Sequence, residues 1–319
     1  MVLRDMKKIV VTGATSMIGI ALINKALQTD NVERIYAVIR PDSVKVNRLM
    51  SDPRIQIVSC EFSDYENLAA LIPEQCDVFY HLAWPRTATY QECYEDIIEK
   101  YKNIQVELEA VKAAFKLGCK KFVGAGSQSE YGLVPSGMMG RDTPCNPVRA
   151  DGVLHLAAGR LAMIVANDLG IDCIWMRVFS VYGKYDRPNS MVNSTIDKLL
   201  SGEHCSFTKA EQIWDFLAAD DIGEAFYLVG EKSQGSHVYC VGCGKPRTLQ
   251  SYIKTIRDVV NPNAELGFGE LEYPKDAVMN LYADISEIQK DTGWSPQIEF
   301  KNGIQEIYQY KIKNREMQN

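Results

Sequence analysis

The chain has 319 residues, of which 46% are hydrophobic and 24% are charged, as in an ordinary globular protein and unlike a disordered or collagen-like chain. Lys and Arg number 35 against 41 Asp and Glu, which gives a net charge of -6. This charge has the wrong sign for binding nucleic acid or an anionic membrane, and we expect neither as a partner.

The sequence also argues against a membrane span, an export signal and a metal site. Apolar runs fall short of the roughly 18 residues that a transmembrane helix needs, and the polar N-terminal residues lead directly into a strand-like run. The nine cysteines are an odd set spread through apolar segments, which favours reduced thiols. Cys240 and Cys243, even with nearby His237, lack a fourth local ligand for a tetrahedral metal site. We expect a cytoplasmic protein without a metal.

Short β-rich runs alternate with longer helical patterns over residues 1–180. Strands are predicted at 8–12, 34–39, 55–59, 77–82, 121–125 and 172–178, and helices at 17–27, 67–71, 91–117 and 150–169. Because right-handed crossovers place the helices on both faces of such a sheet, the pattern predicts an α/β fold with a doubly wound parallel sheet.

The pattern changes after residue 183, where irregular polar connections separate isolated strands from helices at 191–200 and 220–229. We expect a smaller C-terminal α/β lobe that binds the substrate and is formed by residues 181–214 and 246–319. Residues 215–245 are expected to return to the first domain, which comprises residues 1–180.

Residues 9–19 place a β-rich run, a glycine-containing turn and a helix start in one unit. Gly13 allows a tight turn, Gly19 allows close packing of helix on sheet, and the helix N-terminus between them offers N–H groups to the diphosphate of a dinucleotide. Ser16 occupies the middle position, and its hydroxyl can donate to a phosphate oxygen. The alternative is an ordinary strand-to-helix turn without a ligand.

The end of the second predicted strand bears on the choice of dinucleotide. An acidic residue there favours NAD through the ribose hydroxyls, whereas an Arg suits the 2′-phosphate of NADP. Arg40 and Ser43 favour NADP(H) over NAD(H), while Asp42 and a merely solvated turn leave the other choice open.

Several segments resemble motifs of the extended short-chain dehydrogenase/reductase family, which contains nucleotide-sugar epimerases, 4,6-dehydratases and 4-ketoreductases. Residues 12–19 are similar to its TGxxGxxG turn, 81–84 to its HLAA segment, 126–132 to SSxxVYG and 177–183 to RxxNVYG. Residues 281–285 and 293–296 are similar to its late ADxSK and GWxP segments. The resemblance spans nearly the whole chain and implies a Rossmann sheet with a smaller substrate-binding lobe.

The resemblance also implies roles for individual residues. Ser127 takes the position of the catalytic Ser. The residues implied in cofactor binding are Gly13, Thr15, Ser16, Met17, Ile18, Gly19, Arg40, Ser43, Glu61, Phe62, Leu82, Ala83, Trp84, Asn103 and Val178. The residues implied in nucleotide-sugar binding are Ser129, Ser180, Asn189 and Trp214.

The sequence departs from the family at its YxxxK motif, where Asp151 stands in place of the Tyr and His155 in place of the Lys. An Asp, with an ordinary pKa of about 3.9, is a poor proton donor at neutral pH. Asp151 and His155 are four residues apart on one predicted helix, so they share a face and can pair. Both are candidate proton-transfer groups, as is Tyr131. Alternatively, Asp151 and His155 are surface residues of the helix in a site that has lost its chemistry. For Tyr131, the alternative is a packed aromatic side chain.

Three functions remain open at this point. The first is an atypical NAD(P)-dependent enzyme acting on an NDP-hexose. The second is a catalytically silent protein that binds NAD(P) or a nucleotide sugar as a regulator or partner. The third is a non-redox lyase that uses Asp151 as a base. The resemblance further implies a homodimer through the helices at 91–117 and 150–169, whose apolar residues would equally fit sheet-facing helices.

Overall fold

The computed structural model of the chain describes residues 6–85 and 93–316. The strands are β1 (Lys8–Thr12), β2 (Arg34–Ile39), β3 (Ile55–Ser59), β4 (Val78–His81), β5 (Lys121–Ser127), β6 (Asp172–Val178), β7 (Ser180–Tyr182), β8 (Cys205–Phe207), β9 (Ile213–Trp214), β10 (Phe216–Ala218), β11 (His237–Val241), β12 (Arg247–Thr248), β13 (Leu266–Phe268) and β14 (Asn280–Leu281).

The α-helices are α1 (Met17–Leu27), α2 (Tyr94–Lys116), α3 (Ala150–Leu169), α4 (Met191–Ser201), α5 (Ala219–Lys232), α6 (Leu249–Val260), α7 (Ser286–Thr292) and α8 (Phe300–Glu316). Three 3-10 helices cover Val44–Arg48, Phe62–Leu71 and Gln128–Tyr131. The predicted helix at 67–71 is therefore part of a longer 3-10 helix. Gln91 and Glu92, which begin the predicted helix 91–117, lie outside the described residues.

Seven strands form one parallel sheet in the order β11-β6-β5-β4-β1-β2-β3. The strand order reverses between β1 and β4, and in open α/β sheets ligands bind at the carboxyl ends of the strands beside such a reversal. All six strands predicted for the first domain belong to this sheet. The predicted doubly wound α/β fold is thereby confirmed.

Apolar side chains on both faces of the sheet are covered by helices, because successive residues of a strand point to opposite faces. Ile9 and Val11 of β1 pack in one cluster with residues of α1 and α5. Val10, between them, packs in a second cluster with residues of α2 and α3. These two layers hold the carboxyl ends of the strands in fixed positions.

Residues 215–245 pack on this large sheet, since α5 lies against α1 and β11 pairs with β6 as the edge strand. A third core cluster joins α4, α6 and α8. The prediction places residues 246–319 in the smaller lobe, whereas part of the segment after β14 packs against the core of the large sheet. Ile288 and Trp294 pack in the cluster that contains Ile9, and the Trp294 indole N–H donates to the Asp221 carbonyl at 3.0 Å.

Helix α3 is, among the described residues, long and apolar enough to cross a membrane by length and composition alone. It contacts α2, β5 and β6. Part of its apolar surface therefore packs on the sheet and the neighbouring helix, as Leu154, Ala158, Ala162 and Ala166 are buried.

Candidate active site

The turn between β1 and α1 depends on two glycines. Gly13 has a φ of +65°, and a Cβ atom there would lie 2.8 Å from the backbone of Leu82. A Cβ at Gly19 would lie 2.4 Å from the Gly13 carbonyl oxygen. Both positions therefore exclude any larger residue, as the family motif requires.

The same turn leaves backbone donors for a ligand. Ser16 is the N-cap of α1, and its hydroxyl oxygen accepts the N–H of Gly19 at 3.0 Å. The N–H groups of Met17 and Ile18 have no acceptor inside the helix. Both residues line a cavity at the carboxyl ends of β5 and β6, here called the main cavity. The Ser16 O–H also remains able to donate. These groups fit the diphosphate of a dinucleotide.

Two buried titratable groups, His81 and Glu107, lie near this turn. The Thr12 hydroxyl is 2.7 Å from His81 Nδ1, and His81 Nε2 is 3.6 Å from Glu107 Oε2. Burial lowers the pKa of His81 to about 3 and raises the pKa of Glu107 well above its ordinary value. Burial therefore disfavours the charged form of both side chains.

The main cavity lies at the carboxyl ends of β5 and β6 and has a volume of about 530 Å³. Sequence reasoning missed part of its lining, including Gln128, which stands at a variable position of the 126–132 motif, and Arg187 and Leu249, which stand outside the family motifs. The predicted site residues that the structure brings together around it are Met17, Ile18, Trp84, Ser127, His155, Val178, Ser180, Asn189 and Trp214.

Ser127 is held in place by a capping box at the end of β5. Its hydroxyl oxygen accepts the Ser129 N–H at 3.2 Å and the Ser129 O–H at 2.8 Å, while its own N–H donates to Glu130 Oε1 at 2.9 Å. The buried Glu130 carboxylate also accepts Trp175 Nε1–H at 2.9 Å and Arg177 Nε–H at 2.7 Å. The Ser127 O–H is left to donate into the cavity.

Tyr131 is only 1% exposed, and its hydroxyl is engaged inside the core. It donates to the Gly140 carbonyl at 2.8 Å and lies 3.0 Å from Arg177 Nη1 and 2.9 Å from Cys240 Sγ. Burial raises the pKa of Tyr131. The structure therefore supports the packed-aromatic alternative for this residue.

Asp151 and His155 both lie in the first two turns of α3 but point to different neighbours. The His155 ring lines the cavity and stacks on the Trp84 indole, with 3.8 Å between ring centroids and 25° between planes. Asp151 Oδ1 lies 3.6 Å from Lys100 Nζ of α2. Lys100 is buried and also pairs with Asp96 Oδ2 at 2.7 Å. Lys100 was missed by sequence reasoning, because it lies on another helix.

The residues expected to select the cofactor lie at the end of β2. Arg40 is exposed, and Ser43 is half-buried at the N-cap of the 3-10 helix Val44–Arg48. Arg48 Nη1 approaches the Thr15 carbonyl at 3.4 Å, and its guanidinium lies 4.6 Å from the Tyr185 ring centroid. This arginine, also missed from sequence, places a cation against the β1–α1 turn.

Three predicted cofactor residues lie around a separate cavity of about 470 Å³. Glu61 and Phe62 line it from the start of a 3-10 helix, and Asn103 lines it from α2. The Asn103 amide donates to the Pro85 carbonyl at 2.8 Å. Asn103 thereby fixes the loop that carries Trp84.

Three of the predicted sugar-binding residues, Ser180, Asn189 and Trp214, line the main cavity. Trp214 Nε1–H donates to Ser180 Oγ at 2.9 Å. The remaining predicted residue, Ser129, contacts Ser127 instead and lies under the start of α3, where a Cβ at Gly152 would approach its carbonyl to 2.3 Å.

The described residues contain no group of three or more His, Cys, Asp or Glu side chains able to hold a metal ion. All nine cysteines are free thiols, six of them with buried side chains: Cys60, Cys76, Cys119, Cys173, Cys205 and Cys240.

Known proteins resemble this chain in sequence over most of its length. CDP-abequose synthase of Salmonella muenchen is 22% identical over 317 residues, which cover 96% of this chain and 98% of that protein. An uncharacterised UDP-glucose epimerase of Bacillus subtilis, YtcB, is 26% identical over 308 residues, which cover 93% and 95%. The relatives are thus similar to this chain from end to end.

Solved structures share the fold. The UDP-N-acetylglucosamine 4-epimerase of Methanobrevibacter ruminantium superposes with a TM-score of 0.85 at 20% identity, over 98% of this chain and 100% of that one. The UDP-glucuronic acid 4-epimerase of Bacillus cereus, solved with UDP-glucuronic acid and NAD, has a TM-score of 0.82 at 23% identity, over 96% and 99%. A family model matches residues 9–242. The chain belongs to the NAD dependent epimerase/dehydratase family, which is a family of enzymes.

Proposed function

We propose that the protein is an atypical NAD(P)-dependent epimerase, dehydratase or 4-ketoreductase that acts on an NDP-hexose. The observation that carries the proposal is the single cavity that the turn residues Met17 and Ile18 share with Ser127 and His155. A dinucleotide diphosphate fits one side of this cavity, and hydroxyl and imidazole groups face the other. Relatives named for UDP- and CDP-sugars support the substrate class.

The cofactor we propose is NADP(H) in preference to NAD(H). Arg40 and Ser43 stand where a 2′-phosphate would be recognised, and Arg48 adds a cation nearby. The neighbour from Bacillus cereus was solved with NAD, so paired titrations with NADPH and NADH test the preference. Arg40→Ala should weaken binding of NADPH more than that of NADH.

The chain's own residues have distinct tasks in this function. The turn at Gly13 and Gly19 and the first N–H groups of α1 hold the diphosphate, while the bound nicotinamide would supply hydride chemistry. The Ser127 O–H donates to the sugar oxygen at the reacting carbon. The proton of that oxygen is exchanged with Asp151 or His155, which stand where the family has its Tyr and Lys.

The test is turnover of a panel of NDP-hexoses and their 4-keto-6-deoxy forms by the full-length protein with NADPH or NADH. Product analysis by NMR, with nicotinamide absorbance followed in parallel, should show a changed sugar. Binding without any product would favour the silent regulator or partner instead. A converted sugar without nicotinamide dependence would favour the lyase.

We also propose a cytoplasmic homodimer that forms through α2 and α3. Apolar side chains on these two helices remain exposed, namely Tyr94, Ile97, Ile98, Tyr101, Phe115, Val153, Leu161 and Ile164. Such a patch marks an interaction surface. Light scattering at micromolar concentration should give twice the chain mass, and a monomer would refute this assembly.

A further inference from the structure

The stacked rings of Trp84 and His155 join two elements that the fold places independently. Trp84 follows β4 in a loop that Asn103 ties to α2 through the Pro85 carbonyl at 2.8 Å. His155 lies one turn into α3, whose start is packed on the Ser129 carbonyl at Gly152. The contact with α2 therefore fixes the Trp84 side of the stack, and packing on the Ser127 turn fixes the His155 side.

Asp151 is drawn to a different partner. Lys100 Nζ lies 3.6 Å from its carboxylate and 2.7 Å from that of Asp96. The Asp151 side chain is about half exposed, while the side chains of Lys100 and Asp96 are buried. The cation beside position 151 thus comes from α2, whereas His155, one turn further along α3, lines the cavity.

His155 has the chemistry that the cavity requires. Among the described cavity-lining residues, the titratable side chains are His155, Asp186 and Arg187. Asp186 accepts the Arg187 N–H at 2.7 Å in the loop before α4. Imidazole is the side chain that both donates and accepts protons near neutral pH.

We propose that Trp84 is a positioning residue for His155 and that His155, not Asp151, exchanges the proton of the sugar oxygen beside Ser127; the second part rests on the proposed function. In the donating direction, a ring N–H gives its proton to the substrate oxygen. The electron pair of that N–H bond stays on the ring, which becomes neutral imidazole.

The indole face favours the protonated ring, because a cation over an aromatic face is attracted by the quadrupole of the ring. Among the described residues, the charged side chains on the elements around His155 are Asp151 and Arg160 on α3, Asp96, Lys100 and Glu107 on α2, Glu130 and Arg177 behind the Ser127 turn, and Asp186 and Arg187 on the loop before α4. Trp84 is therefore the neighbour whose removal changes the proton affinity of the ring without removing a charge.

The test is an NMR-monitored pH titration of the histidine ring protons in the full-length protein. The chain has four histidines, and the His155 signal is the one lost in His155→Gln. Trp84→Leu should lower the titration midpoint of His155 by roughly half a pH unit, a threefold loss of proton affinity. Trp84→Phe should retain part of the effect, since it keeps an aromatic face.

Trp214→Phe is the matched control. Trp214 lines the same cavity, but its ring contacts the Phe216 ring rather than His155. It should leave the His155 midpoint unchanged. An unchanged midpoint in Trp84→Leu with a native circular dichroism spectrum would overturn the positioning role, as would an equal shift in Trp214→Phe. The titration needs no substrate, so its failure is separate from a failure to find turnover.

Discussion

The β1–α1 turn and the start of α3 face the same cavity but relate to their family in opposite ways. At the turn, Gly13 and Gly19 follow the family motif, and the structure shows that a Cβ at either position would clash with backbone. At α3, Asp151 and His155 replace the Tyr and Lys, while the helix keeps its place beside Ser127.

The comparison shows that the β1–α1 turn is constrained by its backbone geometry, whereas the start of α3 is constrained by the chemistry of its side chains. The turn must bring backbone N–H groups to a phosphate, and only glycine allows that approach. Helix α3 needs only a group of suitable proton affinity at the cavity, which different side chains can supply. One region can therefore change its residues without any change in the fold, whereas the other cannot.

The largest expected effect breaks the comparison at α3. His155→Gln should lower turnover of the substrate found in the panel by about 10²–10⁴-fold, the usual contribution of general acid–base catalysis. Asp151→Asn should cost far less, because its carboxylate is paired with Lys100 rather than with the substrate. Steady-state kinetics decide this, and equal losses in both variants would contradict the division of roles.

The next effect tests the support of Ser127, which faces the same cavity as the turn and α3. Glu130→Gln leaves the buried Arg177 without its carboxylate and should lower the free energy of unfolding by about 3–5 kcal/mol in chemical denaturation. Glu287→Gln is the control, since its pair with Arg141 is exposed and spans 3.9 Å. That variant should lose less than about 1 kcal/mol, and a similar loss in both would show that Glu130 has no special role.

Gly13→Ala tests the turn directly. The left-handed backbone costs about 1–2 kcal/mol with a Cβ, and contact with the Leu82 backbone adds about 1–3 kcal/mol. Binding of NADPH, measured by fluorescence titration, should be lost as well. Gly170→Ala has a similar φ of +72° with open space around it, so it should show the backbone cost alone and bind NADPH normally. Normal binding by Gly13→Ala would refute the turn's role.

The smallest effect per pH unit concerns the buried Glu107 near the turn. The raised pKa of Glu107 means that the folded protein keeps a proton which the unfolded chain loses above about pH 4.3. Stability relative to Glu107→Gln should therefore fall by about 1.4 kcal/mol per pH unit as the pH rises from that value. Denaturation curves at several pH values measure the slope, with Glu109→Gln as a control on the same helix. Parallel curves would mean that Glu107 is ionised in the folded protein.

The fold was predictable from sequence where pattern and motif agree. The alternation of apolar strands with helices placed all six strands of the first domain, since a buried parallel strand needs a continuous apolar run. The return of residues 286–294 to the large sheet was not predictable, because it depends on Trp294 finding the Asp221 carbonyl across the chain.

The candidate site was predictable where backbone geometry dictates residue type, as at Gly13, and less so where tertiary contacts decide. Nothing in the spacing of Lys100 and Asp151 indicates that α2 brings them within 3.6 Å. Nor does the sequence distinguish a Tyr131 that faces the cavity from one whose hydroxyl is held by the Gly140 carbonyl. Such contacts follow from packing between elements distant in sequence.

The central claim is that one cavity binds both a dinucleotide and a nucleotide sugar. The direct measurement is to denature the purified protein, identify any released small molecules by mass spectrometry, and titrate the protein with NADPH, NADH and UDP- and CDP-hexoses. We predict that a nicotinamide dinucleotide and a nucleotide sugar both bind, each at its own part of the cavity. Binding of a nucleotide sugar without any affinity for either dinucleotide would contradict the account.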